Sequence, residues 1–163
     1  MTASFVVECA IGAALAALMF AIAVSDWREY RVPDRLIALA LALRAIEIVV
    51  AAPTPRGEAA LETIARAAAM AALFWLFRWI YRRLRGREGL GLGDVKLAAV
   101  AGAWVDWPLL PFVVEASAAF GLALALYRAA RSRATLRAET RLPFAVGFAA
   151  AIFLGWQAQH VSL

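Results

Sequence analysis

Six apolar runs follow one another along this chain, most of them about twenty residues long, with short polar breaks between them. Nothing constrains the fold more. Of 163 residues, 64% are hydrophobic and only 18% carry charge, against about 25% charged in an average soluble domain. A soluble chain of this size still exposes roughly 30% of its unfolded surface, too much to hide so many apolar side chains. The pattern predicts an all-α polytopic membrane bundle of six transmembrane helices. A short fourth helix is preceded by a glycine-rich loop. With no repeat and no low-complexity tract, residues 1–163 read as one integral-membrane unit.

The runs are bounded by recognisable breaks. The first goes from about Phe5 to Val24 and closes on the polar stretch Ser25 to Arg35. There Pro33 disfavours helix at Val32, and Asp34 is placed to cap the second run. That second run covers about Arg35 to Ala52 and carries Arg44 and Glu47, three apart and expected to pair on one face. A Pro53-Thr54-Pro55 turn separates it from the third, about Leu61 to Tyr81, whose aromatic end suits a membrane interface. The fourth is short, about Val95 to Val105, and Asp106-Trp107-Pro108 ends it. The fifth runs from about Leu109 to Tyr127 and the sixth from about Leu142 to Trp156. The N-terminus has no basic segment before its first run, so that run reads as a retained span, not a cleaved signal. Cys9 is one small apolar-run cysteine, with no partner for a disulfide or a zinc site.

The arginines choose sides. Twelve, from Arg28 to Arg141, lie in the connections after runs one, three and five; the other two connections hold only Arg56. By the positive-inside rule both termini lie outside the cytoplasm and Asp26 and Asp94 share the cytoplasmic side. The +5 formal charge therefore reads as membrane orientation and contact with anionic lipid, not as a nucleic-acid surface. The fourth run as helix is about 16 Å long in a slab of about 30 Å. If its far end sits at the outer interface, Asp94 is sunk below the inner one. Such a re-entrant loop requires cover by protein or water.

Two aspartates on one membrane face define the candidate chemistry. An ionisable residue within a membrane costs roughly 3 kcal/mol and is functional by default. Two neighbouring carboxyls share a proton. The ionised one takes a proton from water and the protonated one polarises a peptide carbonyl. The pair titrates as a unit, so neither role belongs to one aspartate. Gly91 and Gly93, just before Asp94, let another backbone come close. Four glycines between Gly86 and Gly93 leave room for a loop that orders only on substrate. Lys96 reads as an interface anchor, Glu115 as an acid paired inside the bundle, and Asp106 as an acid on the opposite face. No HExxH and no Ser/His/Asp arrangement is present, and no metal site is expected.

These residues resemble the type IV prepilin peptidases, which are GxGD membrane aspartyl proteases. The resemblance rests on Asp26, Arg28 and the Val32-Pro33-Asp34 turn, then on Gly91, Gly93 and Asp94 followed by Lys96 and Leu97. A late proline-phenylalanine is matched by Pro143 and Phe144. The glycine-proline that usually comes next is Ala145-Val146 here. The resemblance implies a bacterial inner-membrane endopeptidase with Asp26 and Asp94 catalytic and no cofactor. Gly91, Gly93, Lys96, Pro143 and Phe144 would serve the loop or the substrate. The substrates would be prepilins or pseudopilins with a short basic leader before an apolar helix, cut at the cytoplasmic face. Larger members carry cysteine pairs and methylate the new N-terminus. This chain starts at its first span and is expected to be the peptidase-only form. Presenilin-like proteases share the GxGD, but they are larger and end in a proline-alanine-leucine motif absent here. A proton-coupled transporter using Asp26, Asp94 and Glu115 as a relay is the non-enzymatic alternative.

Overall fold

The computed structural model describes residues 3–51, 55–87, 89–132 and 143–161. They form six helices: α1 (Ala3–Glu29), α2 (Asp34–Ala51), α3 (Arg56–Arg85), α4 (Leu92–Trp104), α5 (Leu110–Ser132) and α6 (Phe144–Val161). No strand occurs among the described residues. The chain is thus an all-helical bundle, as the six apolar runs require. Three helices, α1, α3 and α5, are by themselves long and apolar enough to cross a membrane. Large apolar side chains face outward, Phe20 at 72% and Leu61 at 69% exposure, the pattern of a surface meant for lipid.

The helices outrun the apolar stretches at their polar ends. Helix α1 continues past Val24 through Ser25, Asp26 and Trp27 to Glu29. Asp26 is therefore a helical residue, not a loop residue. Polar residues do not stop a helix; α1 stops at Tyr30, which has positive φ and donates its N–H to Asp26 O.

The short α4 lies at the centre, against α3 above all and also against α2, α5 and α6. Its 13 residues span about 20 Å, and from Ala98 onward most are alanine, glycine or valine. Small side chains let helix backbones approach closely, which is how membrane helices gain packing without a hydrophobic drive. Gly102 is the extreme case. A Cβ there would stand 2.6 Å from the carbonyl carbon of Arg66 on α3. Arg66 is 4% exposed. It donates Nε–H to Gly102 O at 3.2 Å and pairs with Asp106 at 2.9 Å.

The end of α4 is fastened on its other sides as well. Trp104, fully buried, donates Nε1–H to Ala40 O of α2 at 3.1 Å. Its carbonyl, an orphan of the helix terminus, accepts from Gln159 Nε2 of α6 at 2.9 Å. Gln159 Oε1 in turn accepts the N–H of Asp106. Trp104→Phe keeps most of the volume but removes the bond to Ala40. It is expected to lower stability by about 1–2 kcal/mol, read as an earlier thermal transition in detergent. An unchanged transition would mean that the indole bond contributes nothing.

Candidate active site

The inward face of α1 is the stripe Ile11, Leu15, Met19 and Ile22, all buried. The next member at helical spacing is Asp26, and it too is buried, at 6% exposure. The helix that packs the core thus carries an acid into it near its last turn. Oδ2 of Asp26 is buried and has no hydrogen-bond partner among the described residues. A buried carboxyl oxygen without a partner is costly, and such exceptions call for a functional explanation.

Asp26 meets the start of α6. Pro143 is fully buried, and α6 begins at the next residue, Phe144, whose ring packs edge-on against Phe148 at 5.6 Å between centroids. Proline at this point leaves the first helical amides free, as helix N-termini always do. The amides of Ala145 and Val146 reach the Asp26 carboxyl. These are the positions where the resemblance departs from its usual residues. Their contribution is made by backbone groups, which no side-chain motif announces.

Asp94 is the third residue of α4. Gly91 is the N-cap, with φ −70° and ψ 152°, and its N–H donates to Asp94 Oδ2 at 3.2 Å. The acid therefore reaches back over its own helix start, where negative charge is favoured. Asp94 lies on the stripe that continues through Ala98 and Ala101, both fully buried. The two carboxyls come from α1 and α4 and stand near enough for the charge of Asp26 to act on Asp94. Among the described residues no hydrogen bond joins them.

The glycine stretch is held at several points. The Tyr81 ring fills the place where a Cβ on Gly89 would stand, and Val32 does the same for Gly93, its Cβ 3.1 Å from that position. Arg78 of α3 donates to Leu90 O. Glu88 lies outside the described residues. A loop that orders only on substrate was the expectation from four glycines; the described part is already tied to α3 and to the turn after α1. The glycines allow close approach of Tyr81 and Val32 here, which sequence alone cannot distinguish from freedom.

Lys96 does not stand alone as an anchor: it pairs with Asp34 at 2.6 Å. Arg44 and Glu47 pair at 2.6 Å as their spacing predicts. Asp106 lies at the opposite end of α4, bound to Arg66. Glu115 is the correction. It is exposed on α5, because the buried face of that helix is Leu110, Val113 and Ser117, and Glu115 projects away from it. A relay through Asp26, Asp94 and Glu115 has lost its third member.

The chain is similar to known proteins. The model of the type IV leader peptidase family matches residues 13–126. A prepilin leader peptidase/N-methyltransferase of Burkholderia pseudomallei is 45% identical over 85 residues, 50% of this chain and 27% of that protein. Leader peptidase HopD of Escherichia coli is 42% identical over 85 residues, 51% of this chain and 54% of that protein. A prepilin leader peptidase/N-methyltransferase of Aeromonas salmonicida is 43% identical over 60 residues, 34% of this chain and 21% of that protein. The matches thus span from about a fifth to about half of the length of these relatives. No solved structure matches. The matched segment contains both aspartates, the α1–α2 turn and the glycine stretch, and on it the chain belongs to the type IV leader peptidase family.

Proposed function

We propose that this protein is an aspartyl endopeptidase of the bacterial inner membrane that removes basic leaders from prepilins or pseudopilins. What supports the reading is that Asp26 and Asp94, on helices distant in sequence, stand near enough for the charge of one to act on the other, within the segment that the leader peptidase family matches. One carboxyl, ionised, takes a proton from water. The other, protonated, polarises the scissile carbonyl, and the resulting hydroxide equivalent attacks it. The proton then passes to the leaving amine. The roles belong to the pair, not to one residue of it. Burial among packed helices keeps competing water scarce and strengthens each electrostatic interaction. The Burkholderia pseudomallei and Aeromonas salmonicida relatives are prepilin leader peptidases by name, which supports the substrate class.

The orientation follows the arginines: both termini non-cytoplasmic, the aspartates at the cytoplasmic face, and lipid around the apolar flanks. The substrate's apolar helix supplies most of the binding, because the protein's basic loops do not attract a basic leader. The narrower form of the proposal is cleavage without N-methylation.

Co-expression with a prepilin tests the proposal. The pilin band is expected to shift to the shortened form on a gel, and mass spectrometry of its new N-terminus is expected to find no methyl group. A full-length pilin beside correctly inserted enzyme would refute the peptidase reading. A methylated product would refute only the narrower one. Gly93 offers a graded check. A Cβ there already sits 3.1 Å from Val32 Cβ, so Gly93→Val must push the α4 start away from the α1–α2 turn. Processing is expected to fall about tenfold or more, since small displacements of catalytic groups are expensive. Gly57→Ala, at a site with nothing within 4 Å, should leave it unchanged.

A further inference from the structure

One ion pair bridges the two segments that carry the aspartates. Lys96 Nζ lies 2.6 Å from Asp34 Oδ1. Asp34 is the first residue of α2, at the end of the turn that comes after Asp26. Lys96 is two residues past Asp94 in the first turns of α4. Beside the pair, Val32 packs where Gly93 has no side chain. Among the described residues no other side-chain hydrogen bond or ion pair joins that turn to the start of α4.

Resting on the aspartyl peptidase reading above, we propose that Asp34 and Lys96 form a positioning pair. It fixes the register between the α1–α2 turn and the α4 start, and so the spacing of Asp26 and Asp94. Neither residue is catalytic. Two positions apart on a helix point to different sides, so Lys96 leads away from Asp94. Asp34 is directed to Lys96. Both side chains are substantially exposed, 74% for Asp34 and 47% for Lys96. Exposed pairs add little to overall stability. A pair of this kind acts through geometry instead: the bond is short, it spans 62 residues of sequence, and it sits where a small shift separates two reacting carboxyls. Asp34 also stands in the first turn of α2, where an acid is favoured by the helix dipole. The test must therefore separate that local role from the bridge.

Asp34→Asn keeps the shape of the side chain at the first residue of α2 but removes its charge and with it the ionic bond. Lys96→Met removes the other charge and keeps the length. The Asp34→Lys/Lys96→Asp double variant restores a pair with reversed sense. In a purified prepilin cleavage assay each single variant is expected to lose about tenfold in kcat with little change in KM. The melting transition should stay at the wild-type position, and the reversed pair should recover most of the lost rate. A second readout needs no substrate. In a Cys9→Ser background, spin labels at Arg31 and Leu92, both exposed, report the spacing of the two segments. The distance distribution should be narrow in the parent and the reversed pair, and broad in both single variants. Single variants with parental kcat and parental distances would overturn the proposal, as would a reversed pair no better than its parents. If the parent protein cleaves no prepilin, the peptidase reading fails by itself. The spin-label distances then decide alone whether the pair sets the register.

Discussion

Asp26→Asn and Asp94→Asn are each expected to reduce leader removal by a factor on the order of 10³ or more, with the protein still folded and inserted. Asparagine has nearly the shape of aspartate but neither takes nor gives up a proton. Each change therefore removes the chemistry and leaves the surroundings almost untouched. At Asp94 the amide oxygen still accepts the Gly91 N–H that Oδ2 accepts now, so the α4 start keeps its cap. At Asp26 the amide oxygen still faces the Ala145 and Val146 amides at the start of α6. The buried Oδ2, which has no partner now, loses none. Melting transitions in detergent are thus expected near that of the parent. The two residues act as one unit, so the double variant should be no worse than either single one, as for other coupled catalytic groups. The measurement is the rate of pilin shortening with matched enzyme levels. Parental processing by either Asn variant would exclude a two-aspartate mechanism.

Much of this was legible in the amino-acid sequence. The six apolar runs yield six helices because a lipid-facing run of about twenty residues satisfies its backbone within itself as a helix, where a barrel strand would be about half that length. The spacing of Arg44 and Glu47 is enough to pair them. The bias of the arginines toward alternate connections is what suggested one membrane face for both aspartates. Other features were hidden for physical reasons. A helix apolar on all sides has no polar face to mark its orientation, so the stripe that turns Asp26 inward was not visible as a stripe. Hydropathy marks where a helix is greasy, not where it ends, and α1 runs on through polar residues to Glu29. The Ala145 and Val146 amides are backbone groups and carry no signature. The Asp34–Lys96 bridge is a contact between distant residues that each look sufficient alone, one as a cap and one as an anchor. Glu115 was misread because an acid within an apolar run suggests an interior partner, whereas one helix face decides between interior and exterior.

Gly102→Ala is expected to destabilise the protein by about 3 kcal/mol, and Gly102→Leu to prevent assembly of the bundle. The added Cβ would stand 2.6 Å from the carbonyl carbon of Arg66 and 2.8 Å from the N of Ala67. It would come within contact distance of the Arg66 carbonyl oxygen as well. These are backbone atoms of α3, not the ends of flexible side chains, so the helices themselves must part. Parting them stretches the Arg66 Nε bond to Gly102 O and the Arg66 pair with Asp106. A buried guanidinium that loses its partners is among the costlier defects a protein interior can hold. The same movement travels along α4, a single short helix with Asp94 in its first turn. Gly102→Ala should therefore slow leader removal even at temperatures where the protein is still folded, although Gly102 touches no reacting group. Thermal unfolding in detergent and processing rate measure the two effects. Gly57→Ala, which meets nothing within 4 Å on the same α3, separates close approach from any general cost of adding a methyl group. If Gly102→Ala melts with the parent protein, α3 and α4 do not pack as closely as their backbones indicate, and the position of Asp94 is set by something other than this crossing.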